Sequence, residues 1–308
     1  MKLLIELPTW LGDTIMATPA IENLLKTFID YEVTIVGSFV STEIFKNHPR
    51  VSTIVVDDTK KKKNRYISLY KLAKQLGKFD MAVSFRSSFT SKLLLFFTGS
   101  RKRFSYKKIK EEKHQVLKYN DFINKILNQN NSAGDLKLYF TPFQYSKSTL
   151  GINPGATYGS AKRWYPNEFA KVAINLASKY DIVIFGGLEE LDIAKDIEDF
   201  LKENGITNYQ NIAGETTVSE LIEKIAGLDL FITNDSGPMH IAGAFKVPTY
   251  SIFGPTKYKE TNQWNNPHEH IITKNLDCAP CMKRVCPFGH HDCMKLITSD
   301  DVLKVINE

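Results

Sequence analysis

Short apolar, β-rich runs alternate along the chain with stretches whose apolar residues recur at helical spacing. Residues 3–7, 33–36, 53–56 and 81–85 read as buried strands, with helices starting at Ile15, Ser41, Tyr66 and Ser88 between them. Strands separated by helices predict a parallel sheet wound by crossovers. A basic, Asn-rich stretch at 107–131 interrupts the pattern. It restarts with strands at 150–153, 181–185, 230–233 and 249–253 and helices near 166–178, 189–203, 218–226 and 237–244. Two α/β domains are therefore expected, residues 1–150 and 151–308. The closing segment 299–306 reads as a short helix capped by Ser299 or Asp300. Two such sheets facing each other would form a cleft at the carboxyl ends of their strands, where open α/β sheets bind ligands.

Composition leaves this picture standing, with 308 residues of which 43% are hydrophobic and 24% charged. No run approaches the roughly 18 apolar residues of a spanning helix, and the apolar start is too short for a signal peptide, so a cytoplasmic location is expected. Charge changes the picture. Residues 1–150 hold 25 Lys and Arg against 13 Asp and Glu, and residues 151–308 hold 15 against 21. A basic first half suggests a meeting with something anionic, such as phosphorylated headgroups or nucleic acid. The four lysines at 60–63 read either as a solvated loop or as a membrane contact.

Candidate chemistry lies in the loops after the strands. Strand 3–7 runs into Pro8-Thr9-Trp10-Leu11-Gly12-Asp13-Thr14, which places Asp13 at a strand-to-helix turn. There it can cap the helix, accept a proton from a sugar hydroxyl, or both. No Gly-x-Gly-x-x-Gly follows, which argues against a dinucleotide oxidoreductase and against a cofactor-dependent epimerase. The second half opens with Asn153-Pro154-Gly155-Ala156-Thr157-Tyr158-Gly159-Ser160-Ala161-Lys162. Its glycines admit an anion to the backbone, Thr157 and Ser160 add hydroxyls, and Lys162 can meet a diphosphate, unless the loop is only a solvated turn. In Asn234-Asp235-Ser236-Gly237-Pro238-Met239-His240 a strand ends in a tight turn and Pro238 suits the start of a helix, so free amides present an anion site. His240 can donate to a phosphate or pack in the core. Glu189 or Glu190, after Gly186-Gly187, can hydrogen-bond a ribose. Cys278, Cys281, Cys286 and Cys293 have the ligand types of a zinc site at spacings that fit no standard finger, with reduced buried thiols the other reading.

Taken together, these motifs resemble the bacterial heptosyltransferases of glycosyltransferase family 9. The resemblance runs from Trp10–Pro19 through Asn153–Ala156 and Lys162–Trp164 to Asn234–His240, Cys278–Cys281 and Gly289–His291. It implies a GT-B architecture, two Rossmann-like domains facing each other across a cleft, the first for the acceptor and the second for the donor. It further implies Asp13 as catalytic base and Lys162 as the diphosphate-binding catalytic partner. Thr157, Glu190, Asp235, Ser236, Gly237 and His240 would contact the nucleotide sugar, with no metal and no cofactor. The donor implied is ADP-heptose, and the acceptor is the first heptose of a lipid-linked lipopolysaccharide inner core, reached by peripheral contact with the cytoplasmic leaflet of the inner membrane. A family member with another acceptor, of the first or third heptosyltransferase type, and a non-enzymatic basic membrane-surface module remain alternatives. No nucleic-acid motif is present, so a nucleic-acid partner is not expected.

Overall fold

The computed structural model describes all 308 residues, which divide into two units, Met1–Tyr139 and Phe140–Glu308. The first unit contains, in order, β1 (Lys2–Glu6), α1 (Leu11–Thr27), β2 (Glu32–Gly37), α2 (Phe39–Glu43), β3 (Thr53–Val56), α3 (Arg65–Leu76), β4 (Met81–Ser84), α4 (Phe89–Phe97), β5 (Lys102–Ser105) and α5 (Gln115–Leu127). Its five strands lie in the order β3-β2-β1-β4-β5, every pair parallel. Residues Leu3, Leu4, Ile5, Val33, Ile35 and Val83 are fully buried, because helices cover both faces of the central strands.

Within α1, Pro19 has no amide to give the carbonyl of Ile15. The neighbouring Thr18 Oγ1 donates to that carbonyl at 2.7 Å, so the helix continues through the proline.

The second unit contains β6 (Thr149–Asn153), α6 (Pro166–Leu176), β7 (Asp181–Ile184), α7 (Leu191–Glu203), β8 (Tyr209–Asn211), α8 (Val218–Ala226), β9 (Leu230–Asn234), α9 (Gly237–Ala244), β10 (Thr249–Phe253), α10 (Tyr258–Thr261), β11 (Glu269–Thr273), α11 (Asp292–Lys295) and α12 (Ser299–Asn307). Its sheet is parallel in the order β11-β10-β9-β6-β7-β8. Trp164, Phe169, Ile152, Ile184 and Ile232 anchor one core under α6 and α7.

Both sheets are doubly wound. The chain moves outward from β1 to β3 and then restarts at β4 on the other flank of β1; likewise it restarts at β9 on the other flank of β6. These switch points, β1/β4 and β6/β9, are where loops diverge to opposite faces and leave room for a ligand.

Three expectations are corrected. The units divide at Tyr139/Phe140 and not at residue 150, because the segment before β6 already packs on the second unit: Phe143 N donates to Glu223 O at 2.8 Å, Tyr145 Oη to Lys224 O at 3.2 Å, and Lys224 Nζ lies 4.3 Å from the Phe143 ring centre. Residues 115–127, inside the basic, Asn-rich stretch for which no helix was expected, form α5, which packs on α1. The last helix is capped by Thr298, with Asp301 reaching back to the Thr298 amide at 2.9 Å, so neither Ser299 nor Asp300 is the cap.

Candidate active site

The loops after β6 and β9 converge at the second switch point. Lys162 closes a short 3-10 turn, and its Nζ stands 2.6 Å from Asp235 Oδ2 and 3.1 Å from the Asp235 carbonyl. Asp235 is held in turn by Thr256 Oγ1, which donates to the same Oδ2 at 2.6 Å. Asn153, the last residue of β6, donates to Ser236 Oγ at 3.3 Å. Asn234, the last of β9, accepts from Trp164 N at 3.0 Å and donates to Pro154 O at 2.7 Å. The side chains of Lys162, Asp235, Asn153, Ser236 and Asn234 thus tie the two loops across the switch point.

Ser236 is the extended N-cap residue of α9, and its hydroxyl makes no capping bond. Helix geometry leaves the amides of Ser236, Gly237 and Met239 without intrahelical acceptors, while Pro238 has none to offer. The positive end of the helix dipole is concentrated there, which suits an anion. His240 lies one residue further along α9 with its side chain buried, so the imidazole does not stand on the loop surface. Thr157 and Ser160 are exposed on the facing loop.

The structure separates the two adjacent glutamates. Glu189 is exposed, whereas Glu190 is buried and its Oε2 accepts from Gly187 N at 2.9 Å. The Glu190 carboxyl lies against Gly155, where an added Cβ would stand 2.0 Å from Cδ. Gly155 is therefore the space that Glu190 occupies.

At the first switch point Asp13 sits in the first turn of α1, and Trp10 holds the N-cap position. The helix begins at Leu11, four residues before the expected start, so Asp13 is not the cap; as an acid in the first turn it complements the helix dipole. Tyr106, just after β5, and Tyr119 of α5 feel its charge. Burial, then Asp13, then Tyr106 push the Tyr119 phenol well above its ordinary range; Tyr106 is also raised, by burial first, with Asp13 adding to the rise against a hydrogen bond from Gln115.

The end of β1 carries a buried polar network that no sequence motif announced. Glu6 is 2% exposed at the end of β1. Ser84 Oγ donates to its Oε2 at 2.6 Å and Ser91 Oγ to its Oε1 at 2.9 Å. Arg86 Nη1 lies 3.3 Å from Glu6 Oε1 and 3.5 Å from Asp57 Oδ2, while Arg86 Nε donates to Leu7 O at 2.6 Å. Burial raises the Glu6 carboxyl above its ordinary range despite Arg86 and the two serine hydroxyls, and Asp57 adds to the rise. The available signal was Glu6 itself, an acid inside an apolar strand.

No group of three or more His, Cys, Asp or Glu side chains is arranged to hold a metal ion. Cys278, Cys281 and Cys286 are half-buried and Cys293 is buried in the core. Burial, then the nearby Cys281, Cys278 and Cys286, push the Cys293 thiol up to about 11. Backbone amides of His291, Phe288 and Gly289 draw the Cys286 thiol down against its partial desolvation. A concavity of about 820 Å³ runs along α7 and the edge strand β8, lined by Leu191, Lys195, Glu198, Tyr209 and Asn211 among others, and contains none of the residues at the switch point.

Comparison with known proteins places these rims in context. The family model described as glycosyltransferase family 9 (heptosyltransferase) matches residues 127–291. The chain is 44% identical to lipooligosaccharide heptosyltransferase 2 of Campylobacter jejuni, over 99% of this chain and 97% of the relative. It is 25% identical to lipopolysaccharide heptosyltransferase 2 of Escherichia coli K12, over 100% and 98%. Among solved structures, E. coli ADP-heptose lps heptosyltransferase II superposes with a TM-score of 0.82 at 21% identity, covering 100% of this chain and 98% of that one. A family 9 glycosyl transferase from Veillonella parvula gives 0.87 at 20% identity, over 99% and 96%.

Proposed function

The chain belongs to glycosyltransferase family 9, the heptosyltransferases, and on that premise we propose that it moves heptose from ADP-heptose to the first heptose of the lipopolysaccharide inner core. Its two parallel-sheet units carry the GT-B type of fold, and it is a glycosyltransferase acting in inner-core biosynthesis. The non-enzymatic basic module is set aside by family membership.

One observation carries the donor half of the reading: Lys162 and the amide-rich start of α9 stand together at the switch point of the second sheet. A diphosphate there meets an ammonium and the backbone N–H groups of Ser236, Gly237 and Met239. Asp235 is better placed to hold Lys162 than to face a dianion, since like charges repel. Glu190 and Thr157 line the same rim from the neighbouring loops. His240 contributes through its place in α9, its ring being buried.

On the first unit, Asp13 accepts the proton of the acceptor hydroxyl as that oxygen attacks the anomeric carbon opposite the departing ADP, which inverts the configuration. A positioned base contributes about 10²–10⁴-fold and a preorganised anion contact about 10²–10³-fold.

The site of action is the cytoplasmic leaflet of the inner membrane, approached peripherally. No helix is long and apolar enough to cross a membrane. The parallel sheet sorts the basic loops: residues 60–63 after β3 and Lys107, Lys108 and Lys110 after β5 share the carboxyl rim, while Arg101 and Lys102 lie at the amino end of β5.

ADP release and product mass, measured with purified protein, ADP-heptose and two delipidated acceptors, test the reading. Transfer to the acceptor that already carries one heptose supports it. Transfer only to the heptose-free acceptor would assign the first-type reaction instead.

A further inference from the structure

Between β11 and α11 the chain forms an irregular segment, residues 274–291, that carries Cys278, Cys281 and Cys286 and has no part in the chemistry proposed above. It lies as a strap against the donor loops. Met282 N donates to Pro255 O at 2.8 Å, next to the Thr256 that holds Asp235. Tyr158 Oη donates to Met282 O at 2.9 Å, Ala161 N to Arg284 O at 3.0 Å, and His291 Nε2 to Ala161 O at 2.9 Å. The loop after β6 makes room for this approach, since a Cβ on Gly159 would stand 2.3 Å from the Arg284 carbonyl oxygen. Within the strap, the Cys286 sulfur accepts the backbone amides of Phe288, Gly289 and His291, which folds the segment back on itself.

These contacts bring a second cation to Lys162. Lys162 Nζ lies 4.8 Å and Arg284 Cζ 5.3 Å from the centre of one ring, that of Tyr158. Both are within cation–π range, and the hydroxyl bond to Met282 O keeps the ring in place. The two cations differ in their surroundings. Lys162 is 13% exposed and paired with Asp235 at 2.6 Å, whereas Arg284 is exposed and pairs with no carboxylate. Asp235 offsets the Lys162 charge, and the start of α9 adds only about half a positive charge toward an anion. A departing diphosphate asks for more. Its charge grows as the anomeric C–O bond breaks and the electron pair passes to the β-phosphate oxygen.

We infer that Arg284 is the second phosphate-binding cation of the donor site: its guanidinium meets the β-phosphate of a nucleoside diphosphate seated at the start of α9 and, with Lys162, holds the oxygen that leaves the sugar. This inference rests on the proposed donor site and deepens it. A guanidinium suits the place because its planar fork takes two phosphate oxygens at once. The shared Tyr158 ring keeps Arg284 beside Lys162 without a carboxylate to neutralise it, so its charge is free for the ligand. The strap thereby acquires a use: it carries Arg284 to a loop 123 residues earlier in the chain, where Ala161 N fixes its backbone.

Calorimetric titration of the whole protein with ADP, and with AMP, which lacks the β-phosphate, tests this without turnover. Arg284→Ala should weaken ADP binding about tenfold and leave AMP binding unchanged, with wild-type melting temperature. Arg284→Lys should recover part of the ADP preference, because an ammonium restores the charge without the fork. Lys283→Ala removes the neighbouring exposed cation and should leave the preference as it is. An ADP preference unchanged in Arg284→Ala would overturn the inference. Equal losses for ADP and AMP would make Arg284 a brace of the loop, and an equal loss in Lys283→Ala would assign the effect to the general field of the strap; either result would overturn it too. Weakened ADP binding in Lys162→Ala beside an unchanged Arg284→Ala would defeat only the role of Arg284. Unchanged ADP binding in both would instead defeat the proposed donor site.

Discussion

Lys162 Nζ stands 2.6 Å from Asp235 Oδ2, with the two side chains 13% and 5% exposed. A lysine this enclosed is held in one rotamer, and Thr256 fixes the carboxylate that holds it. Lys162→Ala should lower turnover by about 10²-fold. Asp235→Asn should lower it less, since the amide oxygen still accepts from Lys162 but no longer as an anion, and should raise the ADP dissociation constant. Steady-state kinetics with ADP-heptose and calorimetric ADP titration of both variants check this; equal effects on kcat and none on ADP affinity would show the pair to be structural.

Asp13→Asn should leave the fold unchanged, because Trp10 and not Asp13 is the N-cap of α1, and should reduce kcat by about 10²-fold or more, because an amide cannot take the acceptor proton. Matching melting curves beside wild-type kcat would remove Asp13 from the chemistry.

Much of the architecture was legible, and the strands that were not share a cause. β5 (Lys-Arg-Phe-Ser), β8 (Tyr-Gln-Asn) and β11 (Glu-His-Ile-Ile-Thr) are all sheet edges. An edge strand is paired on one side only and is protected by charge and short length, so it lacks the apolar run that marks a central strand. The β6 and β9 loops were legible because glycine, proline and Asn-Asp-Ser turn chemistry sits directly after buried strands. The Lys162–Asp235 pairing was not, since the two residues are 73 apart in sequence and no local pattern records their meeting. Of the two readings open for Asp13, the cap does not hold, and the sequence hid this because Leu11 and Gly12 carry no helix-start signal and Trp10 is an uncommon N-cap.

Glu6 makes stability pH-dependent. Its folded carboxyl titrates above the ordinary value of 4.5, so the native state holds a proton that the unfolded chain has lost. This contribution is most favourable below 4.5 and declines as pH rises through the folded value. Glu6→Gln should flatten that decline in urea unfolding at mildly acidic and neutral pH. The same variant leaves Arg86 paired with Asp57 alone. An undiminished pH slope in the variant would assign the effect elsewhere.

Replacing the lysines at 60–63 by serine should weaken sedimentation with anionic vesicles at low salt, with each exposed cation worth about 1 kcal/mol near such a surface. Lys62 should count least, because it pairs with Asp58 at 2.7 Å. ADP affinity should be unchanged, since the proposed donor loops belong to the second unit. Equal vesicle binding by variant and wild type would show that this loop is not the membrane contact.

Burial of Glu190 against Gly155 gives a steric test of the donor rim. Gly155→Ala places a methyl about where the Glu190 carboxyl now lies, 2.0 Å from Cδ, and should expel that side chain. ADP-heptose KM should rise several-fold while acceptor KM stays constant. A donor KM equal to wild type would remove Glu190 from nucleotide binding.

The most direct test of heptose transfer to the inner core is the mass spectrum of the core oligosaccharide from cells lacking this protein. A core that stops after a single heptose, restored to full length by the wild-type chain and not by the Asp13→Asn variant, is the result expected. A full-length core in the deletion strain, or a core with no heptose at all, would contradict the assignment.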